Sequence, residues 1–253
     1  MTPIDVKWIL DIAREAGGIA LSHFGRTEGT LKADNSWVTQ ADVDVEAFLR
    51  KELESRRPND AILGEEGANP TPSSPVVWAI DPIDGTRAFN HGLPVWGVSI
   101  GVFEDGEPTK GVFVLPVLGD VYYADGATAF YNGRALAPPA PVLDANALLL
   151  VSEGAFKRLR IDYPGKTLSL GSAAAHLCYV ARGSAAGAFD HASIWDYAAG
   201  AAILNALGIR LRYLSGRTVD FEELFDAKAA PEPTLAAPDR HFGSLQRAFL
   251  SAD

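Results

Sequence analysis

Val77-Trp78-Ala79-Ile80-Asp81-Pro82-Ile83-Asp84-Gly85-Thr86 is the stretch whose reading decides the fold. Its apolar start has the composition of a buried strand. The run ends at a carboxylate, passes through a proline, presents a second carboxylate at Asp84 and closes with Gly85-Thr86. Pro82 has a fixed φ and no N–H, so it stiffens the link between Asp81 and Asp84. Gly85 permits a tight turn and a close backbone approach. If a helix starts near Thr86, its first N–H groups face the same space as the two carboxylates. Carboxylates gather hard cations such as Mg2+, and helix-start N–H groups gather phosphate oxygens. The same letters also read as a plain turn, because Pro-x-Asp-Gly is common after strands and Asp or Thr there caps a helix.

Composition sets the class. The 253 residues suit one large domain or two lobes sharing a core. A hydrophobic content of 47% supports a globular core, and no apolar run reaches the roughly 18 residues of a membrane span. Met1-Thr2-Pro3-Ile4-Asp5 lacks the basic flank and apolar stretch of a signal peptide. Cys178 is the single cysteine, so no intrachain disulfide forms; the expectation is a cytoplasmic protein with Cys178 as a small core residue. The net charge of −10 argues against a nucleic-acid polymer as partner. A phosphorylated small molecule remains compatible with it, because bound metal inverts the local field.

Upstream of the deciding stretch, Ile4, Trp8, Ile12, Ala16, Ile19 and Phe24 predict an amphipathic helix over 3–24, with Thr2 as N-cap and Pro3 at its first position. Residues 32–37 read as a polar loop or edge hairpin. Thr39 and Asp42 form a capping pair that opens a second helix ending before Pro58. A short strand, Ala61-Ile62-Leu63, ends at Gly64-Glu65-Glu66-Gly67. Alone, the two glutamates are a solvated turn; if this strand neighbours the next, Glu65 arrives beside Asp81 and Asp84.

Downstream, the pattern from Val95 to about Leu136 is an antiparallel meander with turns at Asp105-Gly106, Gly119-Asp120, Asp125-Gly126 and Asn132-Gly133. Residues 1–141 therefore read as an α+β lobe, bounded by the linker Ala137-Pro138-Pro139-Ala140-Pro141. Residues 142–253 alternate strand and helix and read as an α/β lobe. Its strands are expected at 147–151, 167–170, 185–189 and 210–213, and its helices at 172–182, 195–207 and 221–225. In Ile194-Trp195-Asp196-Tyr197-Ala198-Ala199-Gly200, Asp196 stands at a helix start, where a dipole partner would also stand.

Taken together, Gly64-Glu65-Glu66, the Trp78–Phe89 segment around Asp81-Pro82-Ile83-Asp84-Gly85-Thr86, and Trp195-Asp196-x-Ala198-Ala199-Gly200 resemble the inositol monophosphatase family of Mg2+-dependent, lithium-sensitive phosphomonoesterases. Gly171-Ser172-Ala173-Ala174 and Leu177-Cys178 resemble a further family segment. The resemblance implies a layered αβαβα sandwich of the sugar-phosphatase type, a homodimer, and two to three Mg2+ ions acting on a small phosphorylated metabolite. It implies that Glu65, Asp81 and the Ile83 carbonyl bind the first ion. Asp81 would bridge to a second ion held with Asp84 and Asp196, and Glu65 would help hold a third. Glu65 and Thr86 would orient the attacking water, and Asp42 would hydrogen-bond Thr86. Lys32 matches a basic residue near the metals, one residue off the family spacing. Gly85 and Thr86 would offer N–H groups to phosphate beside Asp84, with Gly171, Ser172 and Ala173 on the substrate side.

The implied substrate is inositol 1-phosphate, with a 3′(2′),5′-bisphosphate nucleotide or histidinol phosphate as alternatives and a non-catalytic metal- or phosphate-binding relative as the alternative from another class. The chain departs from the inositol phosphatases where they carry an arginine, here Leu168, and a substrate-reading glutamate, here Phe189. Asp190 either takes that glutamate's role or caps the turn before Trp195. His23, His91, His176, His191 and His241 show no ligand spacing and read as surface or packing residues.

Overall fold

Two helices open the chain, α1 (Val6–His23) and α2 (Gln40–Arg56), separated by a hairpin of β1 (Thr30–Leu31) and β2 (Trp37–Val38). The computed structural model describes residues 3–26, 29–32, 37–67, 69 and 71–251. Helix α1 starts later than its periodicity suggests, because the Asp5 carboxylate accepts the Lys7 N–H at 2.9 Å and caps it. Pro3 lies outside the helix, and the Thr2 cap lies outside the described residues. Thr39 and Asp42 form the expected capping box on α2.

A seven-stranded sheet follows, built from β3 (Ala61–Gly64), β4 (Val76–Asp84), β5 (Gly97–Glu104), β6 (Glu107–Leu115), β7 (Asp120–Ala124), β8 (Ala129–Tyr131) and β9 (Arg134–Ala135), with the short helix α3 (Thr86–Asn90) after β4. Strands β3 and β4 are parallel neighbours, and the rest form the expected meander. Alternation along β4 divides its side chains between two faces. Trp78 and Ile80 pack against α1 and α2, whereas Val77 and Ala79 join a core shared with the C-terminal half.

That half begins with β10 (Leu148–Val151), α4 (Ala155–Arg158), β11 (Leu159–Ile161) and β12 (Lys166–Leu168). It continues with α5 (Ala173–Ala181), β13 (Gly187–Asp190), α6 (Ile194–Asn205) and β14 (Arg212–Tyr213). It ends with α7 (Phe221–Ala227), β15 (Thr234–Ala236), α8 (Asp239–Gln246) and β16 (Phe249–Ser251). The order β12-β10-β13-β15-β14 forms a mixed sheet. Strand β15, which the residue pattern does not announce, runs antiparallel to both neighbours. Its three residues are all buried, so no alternation marks it. Helices α5 and α6 lie between the two sheets, and Phe242 and Leu245 of α8 cover the outer face of the second. The layers are thus α, β, α, β, α, as expected. Among the described residues no helix is long and apolar enough to cross a membrane.

The central contact is unusually close. A Cβ on Gly101 would overlap Ala198, and one on Gly111 would lie 2.5 Å from the Ala199 carbonyl oxygen. Across α6, a Cβ on Gly200 would lie 2.6 Å from Leu177 of α5. Small residues thus let α6 sink onto β5 and β6, with Asp196 in its first turn. We expect Gly101→Ala to destabilise the protein by about 1–3 kcal/mol, the usual range for overpacking, and to weaken Mg2+ protection against thermal unfolding. Calorimetry with and without Mg2+ reads both effects.

Candidate functional site

Strand β4 does not stop at Asp81. It continues past Pro82, with Asp81 opposite Ser99 and Asp84 opposite Gly97, so three steps on β4 match two on β5. In a regular strand, residues separated by three point to opposite faces. The irregularity absorbs one residue and turns Asp81 and Asp84 toward one place. The Asp81 carboxylate accepts the Ile83 N–H at 2.9 Å across the proline. Gly85, at φ +93°, reverses the chain into α3, in a left-handed conformation that side chains rarely adopt.

Asp196 reaches the same place from α6. Its Oδ2 accepts the Ser193 N–H at 2.7 Å in a capping box, and carboxylate oxygens of Asp81, Asp84 and Asp196 lie within 4.8 Å of one another. Asp84 is further held from α5: its Oδ2 accepts the Ala174 N–H at 2.9 Å and the Ser172 hydroxyl, and its Oδ1 accepts the Ala173 N–H at 3.2 Å. Ser172 and Ala173, expected on the substrate side, thus contact a metal-ligand candidate directly.

A second trio, Asp42, Glu65 and Glu66, also lies within 4.8 Å. The parallel pairing of β3 with β4 brings it alongside. Glu65 belongs to this group and also faces the aspartates, since its charge acts on Asp81 and that of Asp196 acts on it; Lys32 Nζ lies 3.4 Å from its Oε1 and pairs with Glu66 as well. Asp42 is wholly buried and takes the Thr39 N–H at 2.7 Å. Its other oxygen lies 3.3 Å from Thr86 Oγ1, which also donates to the Ile83 carbonyl at 2.9 Å.

Burial dominates the electrostatics. It pushes Asp42 up to about 6 against the hydrogen bonds from Thr39, and Asp84 up to about 6 against those from Ser172 and Ala174. Burial and the Asp84 charge push Asp196 up to about 7. Burial and the Asp196 charge push Glu65 up to about 8 despite Lys32, and burial and the Glu65 charge raise Asp81 well above its ordinary range. Lys32 itself is lowered by burial but raised on balance by Glu66 and Glu65. A group of carboxylates this crowded holds either protons or cations. An oxygen-only donor set of this density fits a hard divalent ion such as Mg2+.

Glu65, Asp84 and Asp196 border a cavity of about 310 Å3, whose walls include Trp37, Gly85, Thr86, Gly171, His176 and Asp190. Asp190 is buried and engaged by His176, whose Nδ1 lies 3.0 Å from it. His176 Nε2 accepts the Leu170 N–H at 3.1 Å, which places the ring proton on Nδ1 and ties the Leu170–Ser172 loop to α5. Leu168 is 46% exposed, and Phe189 is buried. Arg87 and Glu153 pair across the rim.

Glu46 escapes a motif-based reading. It is buried on α2, accepts the Glu66 N–H at 2.7 Å and the Arg50 Nε–H at 2.8 Å, and so sets the Glu65-Glu66 turn. Its sequence signal is a charge four residues after Asp42, on the core-facing stripe of Val45 and Leu49.

The sequence signature of the inositol monophosphatase family matches residues 6–242. A histidinol-phosphatase of Chlorobaculum parvum is 34% identical, covering 94% of this chain and 96% of its own. An inositol-1-monophosphatase of Bacillus subtilis is 35% identical, covering 86% of each. The solved extragenic suppressor protein suhB from Bartonella henselae superimposes with a TM-score of 0.83 at 26% identity, over 96% of this chain and 97% of that one.

Because the raised carboxylates bind more protons folded than unfolded, their contribution to the stability of the metal-free protein is fully present only at low pH. That contribution is lost as pH rises from about 4 through about 8. With EDTA, the unfolding temperature should therefore fall between pH 5 and pH 8, and the gain from added Mg2+ should grow over the same interval. A gain independent of pH would contradict this charge balance.

Proposed function

The chain belongs to the inositol monophosphatase family and is a phosphoric monoester hydrolase, and from that premise we propose that it hydrolyses a small phosphorylated metabolite with Mg2+ at the carboxylate site. The observation that carries this is the convergence of Asp81, Asp84 and Asp196, with Asp84, Asp196 and Glu65 opening on one cavity. Inositol 1-phosphate is the leading substrate. Histidinol phosphate is the second reading, favoured by the match along nearly the full length of the Chlorobaculum parvum phosphatase.

In this reading Asp81, Asp84, Asp196, Glu65 and the Ile83 carbonyl hold two ions, and Glu65 contributes to a weaker third. The ions supply positive charge to the phosphate oxygens, lower the pKa of water and stabilise the departing alkoxide. Thr86, with its hydroxyl between Asp42 and the Ile83 carbonyl, orients the attacking water together with Glu65. The backbone N–H groups of Gly85 and Thr86 donate to the phosphate. Lys32 offsets part of the negative charge at Glu65 and Glu66. Ser172, Ala173 and Ala174 hold Asp84, while Gly171, Ser172 and Ala173 wall the cavity and Asp190 serves the substrate side by fixing the His176 ring in that wall. The site takes lining from both 1–141 and 142–253, which supports reading these as two lobes with the substrate between them. Lithium inhibition, a homodimer and a cytoplasmic location complete the reading.

Phosphate release from inositol 1-phosphate and histidinol phosphate is expected with Mg2+ and not with EDTA; binding without release would favour a non-catalytic relative. Asp84→Asn and Asp196→Asn should each lower kcat by more than the roughly 10–100-fold typical of losses outside the ligand shell. Both should leave the metal-free protein at least as stable, since each removes one repelling charge. Full turnover in either variant would rule out the shared-metal arrangement.

A further inference from the structure

The carboxylate cavity adjoins a second cleft of about 400 Å3. Ser152, Gly154 and His191 border both spaces. Beyond them the walls are Ala155, Leu159, Phe189 and Pro233, so the lining changes from charged to apolar within one side chain's length. Phe189 is buried and stacked on Phe249 with ring centroids 4.1 Å apart, which makes this wall rigid. His191 Nε2 lies 2.9 Å from the Ala230 carbonyl. A carbonyl only accepts, so Nε2 carries the proton and the imidazole is pinned at the junction.

The acidic side chains nearest the junction are already engaged. Asp190 pairs with His176, and Glu153 pairs with Arg87. A polyol pushed into the cleft would shed water without regaining hydrogen bonds, which opposes binding. A flat ring gains there, because it buries apolar area and can lie against the imidazole of His191.

We propose that this cleft is the subsite for the alcohol portion of the substrate and takes a flat aryl or heteroaryl ring. This inference rests on the phosphatase reading, since the phosphate end anchors the molecule at the carboxylates. Ring-bearing alkyl esters are then favoured over polyol esters, mainly through KM, which keeps the phosphatase reading but ranks histidinol phosphate above inositol 1-phosphate at this site.

The test uses the full chain with Mg2+ and four alkyl phosphates: 2-phenylethyl phosphate, histidinol phosphate, glycerol 2-phosphate and inositol 1-phosphate. All four release an alkyl alkoxide by P–O cleavage, so leaving-group chemistry differs little. The kcat/KM ratio of ring-bearing to polyol esters should be at least about tenfold, equivalent to about 1.4 kcal/mol. Leu159→Asp should lower that ratio at least fivefold by charging the wall. His191→Ala, at an exposed position, should lower it too and decides the matter if Leu159→Asp does not fold. Hydrolysis without ring preference, or a preference that neither variant reduces, overturns the subsite and leaves the phosphatase standing. Failure to hydrolyse any of the four overturns both.

Discussion

Mutual repulsion among buried carboxylates is the constraint on which the rest of this structure depends. Asp42, Asp81 and Asp84 are almost wholly removed from solvent, and Glu65 and Asp196 stand beside them. Each is held by its own donor: Asp42 by the Thr39 N–H, Asp81 by that of Ile83, Asp84 by those of α5, and Asp196 by that of Ser193. These donors fix orientation, but they do not cancel the charge. Burial first and the neighbouring charges second raise the carboxylates' affinity for protons, and it is this unmet charge which a divalent cation would neutralise.

Holding such a group together requires a stiff scaffold, and the scaffold is made largely of small residues. Gly101 and Gly111 on the sheet, with Ala198 and Ala199 on the helix, let backbones approach more closely than any larger side chain permits. That approach carries Asp196 to the edge where β3 and β4 end. Polar support lies behind: Glu46 and Arg50 hold the Glu65 turn from the helix side, and Asn69 closes it by bonding both the N–H and the carbonyl of Gly64. His176 holds the opposite wall by joining Asp190 to the Leu170 N–H. A site of this kind is positioned by packing on three sides, which is why its ligands can come from segments more than a hundred residues apart.

The division of labour within the cavity follows from the same economy of charge. The acidic floor suits phosphate with metal, whereas the adjoining cleft is apolar. The phosphate end and the alcohol end of a substrate therefore meet different chemistry, and the two can vary separately.

Much of this was legible in the residues themselves. The apolar run before Asp81, the capping pair at Thr39 and Asp42, the glycine-marked turns of the meander and the Trp195-Asp196-x-Ala-Ala helix start are local signals, decided by backbone preference and hydrophobic periodicity. They were sufficient for an α+β half followed by an α/β half, whereas the layered order and the roles of the acidic residues followed from the resemblance the motifs carry together. Tertiary structure decided what those signals do not encode. Only pairing with β5 reveals the irregularity that turns Asp81 and Asp84 to one side, and only packing shows Glu65 drawn to Lys32 and Asp190 engaged by His176. Strand β15 stayed hidden because burial on both faces leaves no alternation to read. Local propensity is a property of neighbours in sequence, whereas the direction and partner of a buried charge are settled by neighbours in space.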